Sequence, residues 1–280
     1  MKNIHSNIIK AKKYLLNNEV VAIPTETVYG LAANAYSGKA VRKIFTYKNR
    51  PLNNPLIVHY CKLKDLKHDC VLNENFNKLH KKFCPGPLTF ILYKKKNSKI
   101  SKLVNNNKKT IAIRFPKNKI TRNLLATLNF PLAAPSANIS SKLSPVTAAD
   151  VKEEFGKKIK LILDGGRSRI GLESTIIDLT DKIAVLRLGG ITIEQLEKAL
   201  RCKLKLKNSS KHVKSPGQSK LHYSPGIPVR LNAKYPKKNE AFIQFSGKTM
   251  KTNNYFCLSK KGNTKEAAKN LFSVLRIIKK

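Results

Sequence analysis

The sequence contains no tryptophan, only 16 acidic residues, and only 10 arginines among its 56 basic residues. Long hydrophobic runs are also missing. Stretches such as VVAI at 20–23 and PLIV at 55–58 fall far short of the roughly 20 apolar residues that a membrane-spanning helix needs. The first residues, MKNIHSNIIKAKKYLLNNE, are basic but carry no apolar core or small-residue cleavage site, so no export signal is expected. The five cysteines (Cys61, Cys70, Cys84, Cys202 and Cys257) are odd in number, scattered and never spaced CxxC. This argues against a disulfide framework or a zinc site and suits a reducing, cytoplasmic setting.

The remaining 46 basic residues are lysines, and the formal net charge is +40. Such a charge attracts any polyanion. The lysines are dispersed, however, with no patch that interleaves them with aromatics, and the abundance of Asn and Ile points to a compositional bias. Weak, nonspecific RNA affinity is the expectation. Scarce arginine is the more informative feature. A guanidinium grips a carboxylate or phosphate with two parallel hydrogen bonds, which an ammonium cannot imitate. Arg50, Arg114 and Arg187 are therefore candidates for a geometric role.

Apolar periodicity over residues 1–200 alternates between helix and strand. Helices are expected near 6–17, 38–47, 73–83, 119–128, 147–155 and 192–201. Strands are expected near 19–23, 55–59, 88–93, 110–115, 131–134, 160–163, 174–179 and 183–187. The mixture predicts an α/β domain with a twisted, mixed sheet. Residues 205–228 are polar and rich in Pro, Gly and Ser, which reads as a linker. Strands near 228–231, 241–246 and 255–259 and a helix at 264–279 follow. About fifty residues is thin for an independent core, so this tail is expected to pack on the first domain or on another chain. The resulting division is 1–204, a linker or lid at 205–228, and a small domain at 229–280.

Several short segments carry chemistry. IPTETVYGLAAN (23–34) ends a strand in hydroxyls, with Thr25 and Thr27 expected on one side of an extended chain and Glu26 on the other. KNRPLNNPLIVHY (48–60) sets Lys48 and Arg50 before a proline-fixed turn and His59 after a buried strand. The two cations suit a triphosphate, or else complement a helix C-terminus. In KTIAIRFP (109–116), Arg114 ends an apolar strand with no acidic residue nearby in sequence. It needs a negative partner, either a substrate carboxylate or a distant Asp or Glu. The small residues of PLAAPSANISSKLSPVTAADV (131–151) could cradle an anion at a helix N-terminus. DGGRSRIGLESTIIDL (164–179) and VLRLGGIT (185–192) are glycine-rich turns beside strands. No P-loop, GxGxxG, GxSxG or HExxH signature is present.

The set and order PTETVYGL, KxRP, NNPLIVH, CPGPLTFIL, AIRFP, APSAN, LDGG, EST and GGIT resemble the threonylcarbamoyl-adenylate synthase (YrdC-like) family over residues 8–201. The string SPGQSKLHYSPGIPV resembles the linker of its longer, two-domain branch. The resemblance implies a YrdC-like twisted mixed sheet with flanking helices around a basic cavity, plus a small, truncated C-terminal α/β domain. It implies that L-threonine, bicarbonate and ATP yield threonylcarbamoyl-AMP and pyrophosphate, for modification of tRNA by downstream transferase proteins. Threonine would fall on Thr27, His59, Arg114, Ala134 and Ser174. ATP would fall on Lys48, Arg50, Asn54, Thr110, Ser136, Asn138, Ser144, Arg187 and Tyr223, with the linker's His222 and Tyr223 closing over it. Mg2+ would arrive with ATP rather than on protein ligands, there being no tightly bound cofactor. Leu188 stands where the family has Pro, Leu221 where it has a basic residue, and the second domain stops after one helix. The rival expectations are a non-catalytic double-stranded RNA- or tRNA-binding module and the carbamoyl-transfer domain of hydrogenase maturation proteins.

Overall fold

The computed structural model of the chain describes residues 2–207, 223–247 and 254–279. A first helix, α1 (Lys2–Leu16), leads into the hairpin of β1 (Val21–Ile23) and β2 (Gly30–Asn34). Then come α2 (Gly38–Lys48), β3 (Ile57–His59), α3 (Leu63–Asp69), α4 (Glu74–Phe83), β4 (Leu88–Tyr93) and β5 (Thr110–Arg114). The first unit is completed by α5 (Lys119–Ala126), β6 (Leu132–Ala133), α6 (Ala148–Phe155), β7 (Thr175–Asp178), β8 (Ala184–Arg187), α7 (Ile193–Leu200) and β9 (Lys205–Leu206). Local chemistry sets these boundaries. Ser37 caps α2 by accepting from the Ala40 amide, and Asn49 ends it in the left-handed conformation. Thr147 with Asp150 and Thr192 with Gln195 form reciprocal capping boxes at α6 and α7.

The nine strands form one mixed sheet in the order β1-β2-β6-β3-β5-β4-β7-β8-β9. Successive side chains along a strand face opposite ways, and the sheet sorts its residues accordingly. Ala22, Leu31, Ala33, Val58 and Ala133 enter the main core, which α2, α4 and α7 cover. Their neighbours Val21, Ile23, Ala32 and Leu132 pack under α1 and α5 on the other face. Further along that second face, Ile57, Ala112, Ile91, Ile176 and Leu186 form a separate apolar cluster. The functional cleft is built at the ends of these strands.

Three expectations change. Residues 160–163 make only an isolated bridge from Ile162 to Ala22, because the Asp164–Gly165–Gly166 turn follows at once. Residues 228–231 form no strand, and Val229 and Leu231 are exposed. Conversely, the Gly/Ala-rich β2 is a strand between β1 and β6, where its small side chains are fully buried. Tight packing there outweighs poor strand propensity.

The tail contributes a parallel pair, β10 (Phe242–Ser246) and β11 (Tyr255–Ser259), and α8 (Thr264–Ile278), capped by Asn263. It packs on the first unit, one of the two expected outcomes. Phe272 of α8 is buried with Val28, Leu143 and Val146, and its ring lies 5.4 Å from that of Tyr223. Arg276 donates to the Leu143 carbonyl at 2.5 Å, and its Nη1 lies 3.8 Å from Glu154. At Gly171 a methyl group would come within 2.6 Å of the Lys269 carbonyl oxygen, and φ there is +76°. Only glycine admits α8 so closely. His222, and with it half of the expected lid, lies outside the described residues. Among the described residues no helix is long and apolar enough to cross a membrane.

Candidate functional site

Parallel pairing of β3 with β5 sets His59 opposite Arg114, and antiparallel pairing of β5 with β4 sets Arg114 opposite Thr89. The period of two puts these three on the face of Ile57, Ala112 and Ile91. They form one polar rung at the edge of an apolar floor. Burial pushes the His59 imidazole down to about 3, reinforced by the charge of Arg114, so the ring is neutral near pH 7. Its Nδ1 is buried without a hydrogen-bond partner among the described residues.

Arg114 has the distant acidic partner that its sequence neighbourhood lacks. Its Nη2 donates to Glu26 Oε1 at 2.6 Å and its Nη1 to Thr27 Oγ1 at 2.8 Å. Residues 24–29 form a turn instead of an extended strand end. Thr25 Oγ1 accepts from the Thr27 and Val28 amides, both at 3.2 Å. That turn, rather than alternation, brings Glu26 and Thr27 to the same guanidinium. Glu26 also accepts from the Lys117 amide at 2.9 Å. Burial opposes its charge, but Arg114 outweighs burial and lowers its pKa overall.

The cationic side of the site rests on the 48–55 turn. Arg50 donates to the Asn54 carbonyl at 3.0 Å, to Asn54 Oδ1 at 2.5 Å and to the Pro55 carbonyl at 2.8 Å. Burial lowers Arg50 to about 10, with the charge of Glu173 acting the other way. Lys48 is fully buried, and burial pulls it well below the usual lysine range. Its ammonium donates to the Ser136 carbonyl at 2.6 Å and to that of Asn138, so it props up the loop from beneath. Asn138 staples the same loop by donating to the Ile139 and Lys142 carbonyls at 2.7 and 2.9 Å.

The opposite wall comes from β7 and β8. Arg187 donates from Nε to the Ser174 carbonyl and from Nη2 to Ser174 Oγ, both at 3.0 Å, and pairs through Nη1 with Glu173. Ser174 also bonds Thr89 at 2.7 Å. Glu173 accepts from Ser144 Oγ at 2.8 Å and from the Tyr223 hydroxyl at 2.7 Å. Burial, then Glu173, raises the Tyr223 phenol well above its ordinary value.

Together these walls line one open cleft. Thr27, His59, Arg114, Ala134 and Ser174 line it, as do Arg50, Ser136 and Arg187. Lys48, Asn54, Asn138, Ser144 and Tyr223 bond to the lining or to the loop that carries it. Thr110, at the far end of β5, is not among the lining residues. Four other clefts are roomier, but none gathers three arginines with hydroxyls and a histidine. Composition, not volume, singles this cleft out. Glu173 was assigned no role from the sequence. Its place at the end of a glycine-rich turn, in a chain so poor in acid, was the available signal.

Two family models cover the chain. One, described as "Telomere recombination" (Sua5/yciO/yrdC), matches residues 13–189, and one described as "Threonylcarbamoyl-AMP synthase, C-terminal domain" matches residues 191–280. A threonylcarbamoyl-AMP synthase of Pyrococcus abyssi is 37% identical over 95% of this chain and 83% of its own length. One from Bacillus subtilis is 40% identical over 85% of this chain and 70% of its own. The crystal structure of P. abyssi Sua5 complexed with L-threonine superimposes with a TM-score of 0.88 at 36% identity, covering 96% of this chain and 84% of that one.

Proposed function

The chain belongs to the threonylcarbamoyl-AMP synthase family, and from that premise we propose how its cleft works. It is an enzyme that makes threonylcarbamoyl-AMP and pyrophosphate from L-threonine, bicarbonate and ATP, for tRNA modification. The amine of threonine takes up bicarbonate as a carbamate, with loss of water. A carbamate oxygen then attacks the α-phosphorus while the bond to pyrophosphate breaks. Such a transfer depends on positioning and charge neutralisation more than on a protein nucleophile; the cleft offers three arginines, and no residue is assigned as a general base.

Threonine is assigned to Thr27, His59, Arg114, Ala134 and Ser174. A neutral His59 suits contact with an uncharged or developing amine, and Arg114, held by Glu26 and Thr27, offers a carboxylate a fixed fork. ATP is assigned to Lys48, Arg50, Asn54, Thr110, Ser136, Asn138, Ser144, Arg187 and Tyr223. Thr110 has the weakest support, since it does not line the cleft. Mg2+ is proposed as the companion of the ATP phosphates. The lining presents one carboxylate, Glu173, already held by Ser144, Arg187 and Tyr223, a donor set that does not amount to a protein metal site. The domain division at 204 and 228, a cytoplasmic setting and delivery to downstream tRNA threonylcarbamoyl-transferases belong to the same proposal.

The observation that carries this reading is the convergence of His59, Arg114, Ser174 and Arg187 on one apolar-floored cleft. Labelled bicarbonate should enter an AMP adduct only when threonine and ATP are both present. Label incorporated without threonine, or none with all three substrates, overturns it.

A further inference from the structure

Three donors assigned to ATP (Ser144, Arg187 and Tyr223) all converge on the Glu173 carboxylate. We infer that Glu173 is the built-in anion of the nucleotide pocket, a carboxylate that exchanges places with phosphate oxygens and so sets how much anionic charge a ligand needs to bind. The inference rests on the proposed function and adds a specificity-determining residue to it.

Hydrogen supply makes the two anions rivals. A serine or tyrosine hydroxyl has one hydrogen to donate. Those of Ser144 and Tyr223 are given to Glu173 at 2.8 and 2.7 Å. Arg187 directs Nη1 to the same carboxylate, while Nε and Nη2 are taken by Ser174. A phosphate that uses the two hydroxyls must take their hydrogens from Glu173, whereas Arg187 has two further N–H groups to offer; in either case it binds against the repulsion of a neighbouring negative charge in a sheltered site.

Glu173 can yield only by turning its side chain. Its backbone is packed against Gly189, where even a methyl group would come within 2.2 Å of the Glu173 carbonyl oxygen and 2.5 Å of Ser174. The main chain is pinned, so the carboxylate is the movable part. Its presence also compensates Arg50 and Arg187, both of which line the cleft. A ligand without phosphate offers no anion in exchange for this carboxylate, whereas pyrophosphate and triphosphate groups offer several negative charges and more acceptor oxygens. The same carboxylate, returning to its three donors, helps expel pyrophosphate after transfer.

Glu173→Gln keeps the shape and the acceptor oxygen but removes the charge. Calorimetric titration of the full chain with ATP, pyrophosphate and adenosine provides the test, with threonine titration as a check on the fold. Expected is binding of ATP and pyrophosphate tighter by about tenfold, with adenosine and threonine unchanged. Unchanged or weaker pyrophosphate binding by the variant overturns the inference. So does a loss of ATP affinity that extra Mg2+ restores, which would make Glu173 a metal ligand. If the glutamine variant does not fold, Glu173→Asp serves. It keeps the charge but is one methylene too short to hold all three donors, and a smaller tightening of pyrophosphate is expected, weakening being the refuting result. Wild-type protein that binds no ATP overturns the proposed function and this inference together. Wild-type binding without any gain in the variants overturns this inference alone.

Discussion

Arg114 and His59 stand side by side on one rung of the sheet, and each has a measurable signature. Arg114→Lys keeps a charge but loses the fork. Threonine affinity, read by titration, should fall by about 1.5–3 kcal/mol, the range for hydrogen bonds to charged groups. Near-normal affinity would remove Arg114 from the threonine site. His59 makes a prediction about stability. Its folded pKa, about 3, lies below the ordinary histidine value, so between these two pH values the unfolded chain binds the extra proton. Stability is therefore fully present above about pH 6.5 and is lost as the pH falls, by up to about 1.4 kcal/mol per pH unit. Urea unfolding at pH 7 and pH 5 should show a steeper loss in the wild type than in His59→Asn. Equal slopes would show that His59 does not titrate this way. The types and positions of both residues were legible in the sequence, since an arginine in a lysine-rich chain marks itself. The partner of Arg114 was not. Glu26 lies 88 residues away, and only the turn made by Thr25 brings it near.

Elements were legible where one periodicity dominated. The apolar face of α2, with Ala40, Val41, Ile44 and Phe45, and the runs of β4 and β5 agree with their expected bounds within a few residues. Segments fixed by neighbours were not. β2 has no periodicity that marks it and becomes a strand because β1 and β6 flank it. Residues 228–231 look like a strand and find no partner. The docking of α8 likewise depends on a contact that no local pattern announces, the glycine at 171. Gly171→Ala places a methyl group within 2.6–2.9 Å of the Lys269 backbone at a positive φ, with a cost of about 1–3 kcal/mol for the strained backbone alone. Hydrogen exchange should quicken across 264–278 while β3, β4 and β5 keep their protection. Unchanged exchange in α8 would mean that the helix does not depend on this approach.

At the scale of the whole molecule, charge and architecture separate. The charge of +40 is spread over the lysines, while the arginines that matter sit in one cleft. RNA affinity should therefore drop steeply as salt rises and show no sequence preference. A filter-binding series from low to physiological salt with unrelated RNAs reads both features. Tight, selective binding at physiological salt would reveal a shaped RNA surface. The position of α8 has a consequence for biosynthesis. It follows every other described element in the chain, yet its Phe272 covers Val28, Leu143 and Val146, and its Arg276 caps the Leu143 carbonyl. Domains tend to fold in order as they leave the ribosome, so every residue assigned to threonine and ATP emerges before this cover exists. A nascent chain can already present all of the side chains proposed to bind ligand. The packing over Val28, Leu143 and Val146 waits for α8, and a chain that stops before Asn263 carries the residues proposed for threonine and ATP without that support behind Val28.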